Sequence, residues 1–280
     1  MNSHNKKMFV KGYRKPAFCI IAPTAYLNEY ATQSTTHLTL AHLVDTDASY
    51  AGFYKARSTE CGDRIIMDCS AFELGESYAP DKLVVLGKRC GAHAIVLPDY
   101  PFCLSDKTIQ SAVNLATQVK EAGFATMFVP QSKANDIEDW IAGYEWAANN
   151  DNIDIIGMSI LGIPNAIPHI HIAYARVVMT QILIERGLFN FNKYHHYLGL
   201  NSGPGLEIPS LIQMGALDSC DSSGPVWAGI LGHEYTQNAD SLQSVSKVKA
   251  HVEFDYPMAK DKQTLERIQH NINLTLKIIG

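Results

Sequence analysis

Ile65-Ile66-Met67-Asp68, Ala94-Ile95-Val96-Leu97-Pro98-Asp99 and Met127-Phe128-Val129-Pro130-Gln131 are apolar runs that each end on a carboxylate or an amide. A short unbroken apolar run is how a strand buried on both faces reads. The segments between them have helical period. Pro80 to Cys90 reads as a helix with Pro80 in its first turn. Asp106 to Ala122 places Ile109, Val113, Ala116 and Val119 on one face and is stopped by Gly123. Strands alternating with helices imply βαβ units and a parallel sheet. Polar groups at the C-terminal ends of such strands face the place where barrels build their sites. A fourth acidic group, Asp221 in Leu217-Asp218-Ser219-Cys220-Asp221, follows another strand-like run. Groups spread from residue 68 to residue 221 thus point to one pocket assembled from many strands.

The alternation extends in both directions. Phe18 to Ala22 reads as a first strand closed by Pro23, and His37 to Val44 as an apolar segment of undecided type. Arg64 to Cys69, Ala94 to Leu97, Thr126 to Val129, Ile153 to Ile160, Tyr194 to Leu200 and Ala216 to Cys220 read as strands. Asn135 with Glu138 has capping-box spacing, opening a helix with Ile137, Ile141 and Tyr144 on its inner face and Trp140 beside them. Ile170 to Arg186, Leu206 to Met214 and Lys262 to Ile279 complete the helices, the last carrying the stripe Leu265, Ile268, Ile272, Leu276 and Ile279. Seven or eight such units fit a single closed (β/α)8 barrel over residues 1–280 better than an open doubly wound sheet, which the same alternation would also allow. No GxGxxG follows the first strand, which counts against a dinucleotide fold. The polar stretch from Gly232 to Asp261 is expected to cover the barrel mouth or carry function.

The chain has 280 residues and a net charge of −5, so any affinity for nucleic acid must rest on local positive potential. Lys6, Lys7, Lys11, Arg14 and Lys15 make one basic patch, and Lys247, Lys249, His251, Lys260, Lys262 and Arg267 another; a solvated face or loose tail accounts for either alone. Six cysteines without CxxC or CxC spacing argue against a zinc ribbon and fit a reducing, cytoplasmic setting. The run from Ala17 to Ala22 is too short for a signal h-region, and no run reaches the roughly 18 apolar residues of a membrane span.

Set side by side, the strand ends form an ordered group of motifs. They are Asp68-Cys69-Ser70-Ala71-Phe72-Glu73, Leu97-Pro98-Asp99-Tyr100-Pro101, Val129-Pro130-Gln131-Ser132, Gly157-Met158-Ser159-Ile160-Leu161-Gly162, Tyr197-Leu198-Gly199-Leu200-Asn201 and Gly215 to Pro225. In order and spacing this group resembles the tRNA-guanine transglycosylase superfamily, whose barrels exchange guanine for a 7-deazaguanine. The resemblance covers about Ile65 to Pro225. It implies that Asp221, four positions before Pro225, is the nucleophile, and that Asp68 handles the proton of the departing or incoming base. It implies that Asp99 reads the Watson–Crick edge, that Gln131 bonds the purine carbonyl edge, and that Gly157 and its neighbours, Ser159 among them, contact the base. Phe72 keeps the family's aromatic, and Glu73 stands where the family has glutamine.

These residue types suit the chemistry. A carboxylate can attack an oxocarbenium-like carbon and hold a glycosyl intermediate. A second carboxyl can give and retake a proton. A target base must leave its stack to reach such a pocket. Against this stands the commonest role of an Asp after a strand, as turn former or cap, and Asp218 is expected to bond the barrel rim.

The family's tRNA enzymes carry a cysteine-rich zinc subdomain near the C-terminus, whereas no cysteine follows Cys220 here. The resemblance is therefore nearer the branch found in phages and bacterial defence islands, which inserts 7-deazaguanines into DNA. It implies guanine in DNA as acceptor, a free 7-deazaguanine as incoming base, phosphate contacts from residues such as Lys247, Lys249, Lys260 and Lys262, and neither metal nor cofactor. Action on tRNA is the alternative acceptor. A metal-dependent barrel hydrolase would draw on His169, His171, His195, His196 and His233, although no His-x-His lies on the first strand. A non-catalytic nucleic-acid-binding barrel is the third reading, opposed by the retained set of Asp68, Asp99, Gln131 and Asp221.

Overall fold

The computed structural model describes residues 8–9, 15–200, 204–236 and 252–280. Its frame is one eight-stranded parallel sheet. The strands are β1 (Ala17–Ile20), β2 (Thr36–Leu40), β3 (Arg64–Asp68), β4 (Ala94–Val96), β5 (Ala125–Phe128), β6 (Ile155–Gly157), β7 (Tyr194–Tyr197) and β8 (Ser219–Ser222). Each strand pairs with the next from β2 to β8, and β8 pairs with β1. No ladder joins β1 to β2; the Ser34 hydroxyl at that seam reaches the carbonyls of Phe18 and Thr36. The result is a nearly closed (β/α)8 barrel, and the open sheet is set aside.

The main outer helices are α1 (Ala48–Glu60), α2 (Leu83–Cys90), α3 (Ser105–Glu121), α4 (Ile137–Ala148), α5 (Ile172–Glu185), α6 (Pro204–Gln213), α7 (Gly224–Ile230) and α8 (Lys262–Ile279). Short helical turns between Thr24 and Gln33 follow β1, and α8 closes the ring against them, with Tyr30 donating to the Leu265 carbonyl and Gln33 bonding Gln269. Strands β3 to β6 are mostly apolar because both faces are covered: Ile65, Ile66, Met67, Ile95, Met127, Phe128, Ile155 and Ile156 are all buried.

Several expected boundaries shift. The segment from His37 divides into β2 and a short helix, Ala41–Thr46. Pro80 opens a 3₁₀ turn that runs into α2. Asp136, not Asn135, caps α4, its side chain accepting from the Asp139 amide, while Asn135 takes a left-handed φ of 58°. β8 starts three residues later than the apolar run at Ala216 suggests, so Asp221 lies within the strand and not past its end. The register is the cause: Asp221 pairs with Cys19 of β1, and the polar run Ser219 to Ser222 is laddered on that side.

Candidate active site

At the C-terminal mouth of the barrel lies a cavity of about 400 Å³, bordered by Asp68, Phe72, Glu73, Asp99, Gln131, Ser159 and Asp221 together with His42, Leu198 and Phe254. Its size is within the ordinary range for small-molecule sites, about 300–1,000 Å³. Val252 and Phe254 also line it, so the described end of the long polar stretch does reach the mouth. The Thr24 amide donates to the Phe254 carbonyl and anchors that end.

Asp68 ends β3 and is buried. Its Oδ2 accepts from the Ser70 amide at 2.9 Å, and Ser70 has a left-handed φ of 64°. The carboxyl therefore also serves as a turn former. Burial, followed by the nearby charges of Glu73 and Asp99, holds the Asp68 carboxyl well above the usual carboxylate range. The shift favours the protonated carboxyl, a form that can donate.

Asp99 sits just beyond β4, Gln131 just beyond β5, and both are buried. The Gln131 Nε2 donates to Asp99 Oδ2 at 2.6 Å, and the Cys69 thiol donates to Asp99 Oδ1 at 3.2 Å. Burial pushes the Asp99 carboxyl up to about 6, against the pull of these two bonds. Gln131 Oε1 is buried and has no partner among the described residues. It packs on Gly162, where an added Cβ would lie 2.6 Å from it. Ser159 holds that neighbour in place, its Oγ accepting from the amides of Leu161 and Gly162.

Asp221 reaches the cavity from β8. Its Oδ1 accepts from His196 Nε2 at 3.0 Å and from the Gly199 amide at 2.9 Å. The Gly199 loop is fixed by Arg176, a fully buried side chain on α5. Arg176 bonds Glu207 through Nε at 2.6 Å and Nη2 at 2.7 Å, and donates to the carbonyls of Met158, Leu198 and Gly199.

Glu73 follows Asp68 on a four-residue helix, Ala71–Leu74, and its Oε2 is buried without a partner among the described residues. Burial, and to a lesser degree the Asp221 charge, pushes its carboxyl from 4.5 up to about 7. An acid whose folded pKa is raised favours the fold below its unfolded value, and that contribution is lost as pH rises through the folded value. Glu73→Gln is therefore expected to raise the melting temperature relative to wild type at about pH 8 and to leave it nearly unchanged at about pH 4.5. Thermal unfolding at the two pH values checks the sign.

The other expected site residues fall differently. Phe72 is exposed at the lip of the cavity. Gly157 is not on the lining: it lies inside the barrel, where a Cβ would meet Val129 Cγ2 at 2.8 Å and Leu198 Cδ1 at 3.0 Å, both side chains of the cavity wall. It acts on the site by leaving room. Lys260 and Lys262 are exposed beside the start of α8 and off the lining, with Lys262 paired to Glu266 at 3.0 Å. Lys247 and Lys249 lie outside the described residues. Asp218 accepts from the His195 amide through Oδ2 and from the Ala17 amide through its carbonyl, a rim contact as expected.

The histidines do not converge. His171 caps α5, His195 faces Tyr144 of α4, and His233 is exposed. Among the described residues no group of three or more His, Cys, Asp or Glu side chains is arranged to hold a metal ion, so the hydrolase reading is not favoured. No described helix is long and apolar enough to cross a membrane.

Comparison with models of protein families finds no match, and neither does comparison with curated protein sequences. Comparison with solved structures does. An HpcH/HpaI aldolase/citrate lyase family protein from Burkholderia cenocepacia superposes with a TM-score of 0.51 at 9% identity, covering 89% of this chain and all of that one. A D-psicose 3-epimerase gives 0.51 at 10% identity over 94% of this chain and 99% of its own. The citrate synthase SbnG gives 0.51 at 10% identity over 78% and 91%. At such identities the likeness extends to the barrel alone.

Proposed function

We propose that this cavity exchanges a guanine base in DNA for a 7-deazaguanine, such as the 7-cyano form, through a covalent aspartyl-glycosyl intermediate. The protein is then a pentosyltransferase. What carries the reading is that Asp68, Asp99, Gln131 and Asp221, from four different strands, border one cavity of purine-accommodating size. That the fold also serves a lyase family, an epimerase and a synthase is consistent with an enzyme.

The chemistry follows from the protonation states. Asp221 attacks C1′ of the flipped nucleotide, forming a C–O bond as the C1′–N9 bond breaks and its electron pair passes to guanine. Asp68, whose protonated form burial favours, gives its proton to the leaving base. The incoming 7-deazaguanine then returns a proton to Asp68, its N9 attacks C1′, and the Asp221 ester is released. Two displacements at C1′ retain configuration. Asp99, ionised above about 6, accepts from the N1 and exocyclic amine hydrogens of guanine. Gln131 keeps one amide hydrogen on Asp99 and has a second for the purine carbonyl. Gln131 Oε1, Glu73 Oε2 and His42 Nδ1 are buried without partners among the described residues. Such atoms are costly to leave unpaired, and a donor-rich base would satisfy them.

The test is release of labelled guanine from duplex DNA and from tRNA in the presence of candidate 7-deazaguanines. Release from DNA is the expected result. Release from tRNA alone would move the acceptor to RNA, and release from neither would overturn base exchange.

A further inference from the structure

His196 is the one histidine on the inner face of β7 that touches a cavity carboxylate, and neither the motif group nor the exchange chemistry gives it a role. It is wholly buried. It pairs across the ladder with Ser219 of β8, and the two-residue period puts Asp221 on the same inner face, one step nearer the cavity. The ring spans the two: Nδ1 is 2.6 Å from Ser219 Oγ and Nε2 is 3.0 Å from Asp221 Oδ1.

We propose that His196, braced by Ser219 and donating from Nε2, is the positioning residue that fixes the carboxylate plane of Asp221 for attack, an inference that rests on the reading of Asp221 as nucleophile. A neutral imidazole has one donor and one acceptor, a hydroxyl can play either part, and a carboxylate only accepts. The Asp221 side therefore takes the hydrogen, at Nε2, and Nδ1 accepts from the Ser219 hydroxyl. The Gly199 amide adds a second donor to the same Oδ1. With both donors from β7 and its loop on one oxygen, Oδ2 is the attacking atom.

The surroundings make such donors necessary. The titratable groups around Asp221 are Cys19 on β1, Cys220 on its own strand, Asp68 at the end of β3, Glu73 after it, and His196. Of these His196 is the one that hydrogen-bonds the carboxylate, and the Arg176 guanidinium lies on the carbonyl of Gly199, whose amide is the other donor. His195, one residue away, faces outward to the Tyr144 hydroxyl and cannot substitute.

The readout is nuclear magnetic resonance on the intact chain, which needs no substrate. Imidazole nitrogen shifts of wild type should show His196 protonated at Nε2 and bare at Nδ1, and Asp221→Asn, whose amide can donate or accept, should mix the tautomers. The chemical shift of the Asp221 carboxyl carbon, assigned with Asp221→Asn, should move in His196→Leu and return toward wild type in His196→Gln, which restores a donor near Nε2. In the exchange assay kcat should fall about ten- to a hundredfold in His196→Leu, with KM little changed, and recover in part in His196→Gln. A wild-type Nδ1–H tautomer, or an Asp221 carboxyl shift indifferent to His196, overturns the proposal. If His196→Leu does not fold, the Asp221→Asn and wild-type tautomers still decide it. Correct tautomers and carboxyl shifts with no exchange on any acceptor would leave the clamp standing and refute the transglycosylase reading instead.

Discussion

Asp221→Ala should abolish base exchange, lowering kcat by at least about a thousandfold, because removing a nucleophile removes the covalent route and not merely a contact. The fold should survive. Asp221 bonds only His196 and Gly199 among the described residues, and the lost side chain borders an open cavity. Its truncation leaves His196 Nε2 short of a partner, a cost of about 1–3 kcal/mol that water entering from the cavity can reduce. Circular dichroism and guanine release measured on one preparation separate loss of chemistry from loss of structure. Activity within tenfold of wild type in a folded variant would remove Asp221 from the mechanism.

Glu207→Ala should produce the largest loss of stability of any substitution discussed. Arg176 is fully buried, and Glu207, equally buried, is its sole carboxylate partner among the described residues. Removing the acid leaves a buried guanidinium with the carbonyls of Met158, Leu198 and Gly199 and the Tyr197 ring but no counter-charge among the described residues. Breaking a buried pair from one side costs about 3–5 kcal/mol, a large part of the roughly 5–15 kcal/mol by which a domain is stable. Chemical denaturation measures it. Replacing both partners by apolar residues, Arg176→Met with Glu207→Leu, should recover most of the loss, since the uncompensated charge is gone. The double variant should still exchange bases poorly, because the Arg176 bonds to Leu198 and Gly199 hold the loop that presents an amide to Asp221. A single-variant loss below about 1 kcal/mol would show that the pair is not the buried support the geometry describes.

The sequence exposes the parts of this fold where physics leaves a pattern. β3, β4 and β5 are buried on both faces, so Ile65 to Met67, Ala94 to Val96 and Met127 to Phe128 read as unbroken apolar runs. α8 begins and ends where its stripe predicts, since a helix with one face on the barrel and the other in solvent shows a clean period. The misses have equally definite causes. α1 buries only Tyr50, Ala51 and Tyr54, a stripe too narrow and too polar to stand out. β8 is Ser-Cys-Asp-Ser, which no propensity marks as strand; its place is set by pairing with β1 and β7.

At the site, Asp68, Asp99, Gln131, Ser159, Phe72 and Asp221 border a single cavity, Asp221 from within β8 and the others from strand ends or the segments just after them. Gly157 behaves otherwise, because a glycine in a strand signals close approach without saying what approaches, and here it is Val129 and Leu198. His196 was legible only as one of two adjacent histidines. Which of them turns inward depends on strand register, and a shift of one residue would exchange their faces.

The most direct measurement is to quench the protein with guanine-containing DNA in acid denaturant, without an incoming base, and locate any covalent adduct by peptide mass spectrometry. The account predicts a sugar ester on the peptide carrying Asp221, lost in Asp221→Ala and discharged when a 7-deazaguanine is added before quenching. Exchange that proceeds with no adduct at Asp221, or with one on another residue, would contradict it.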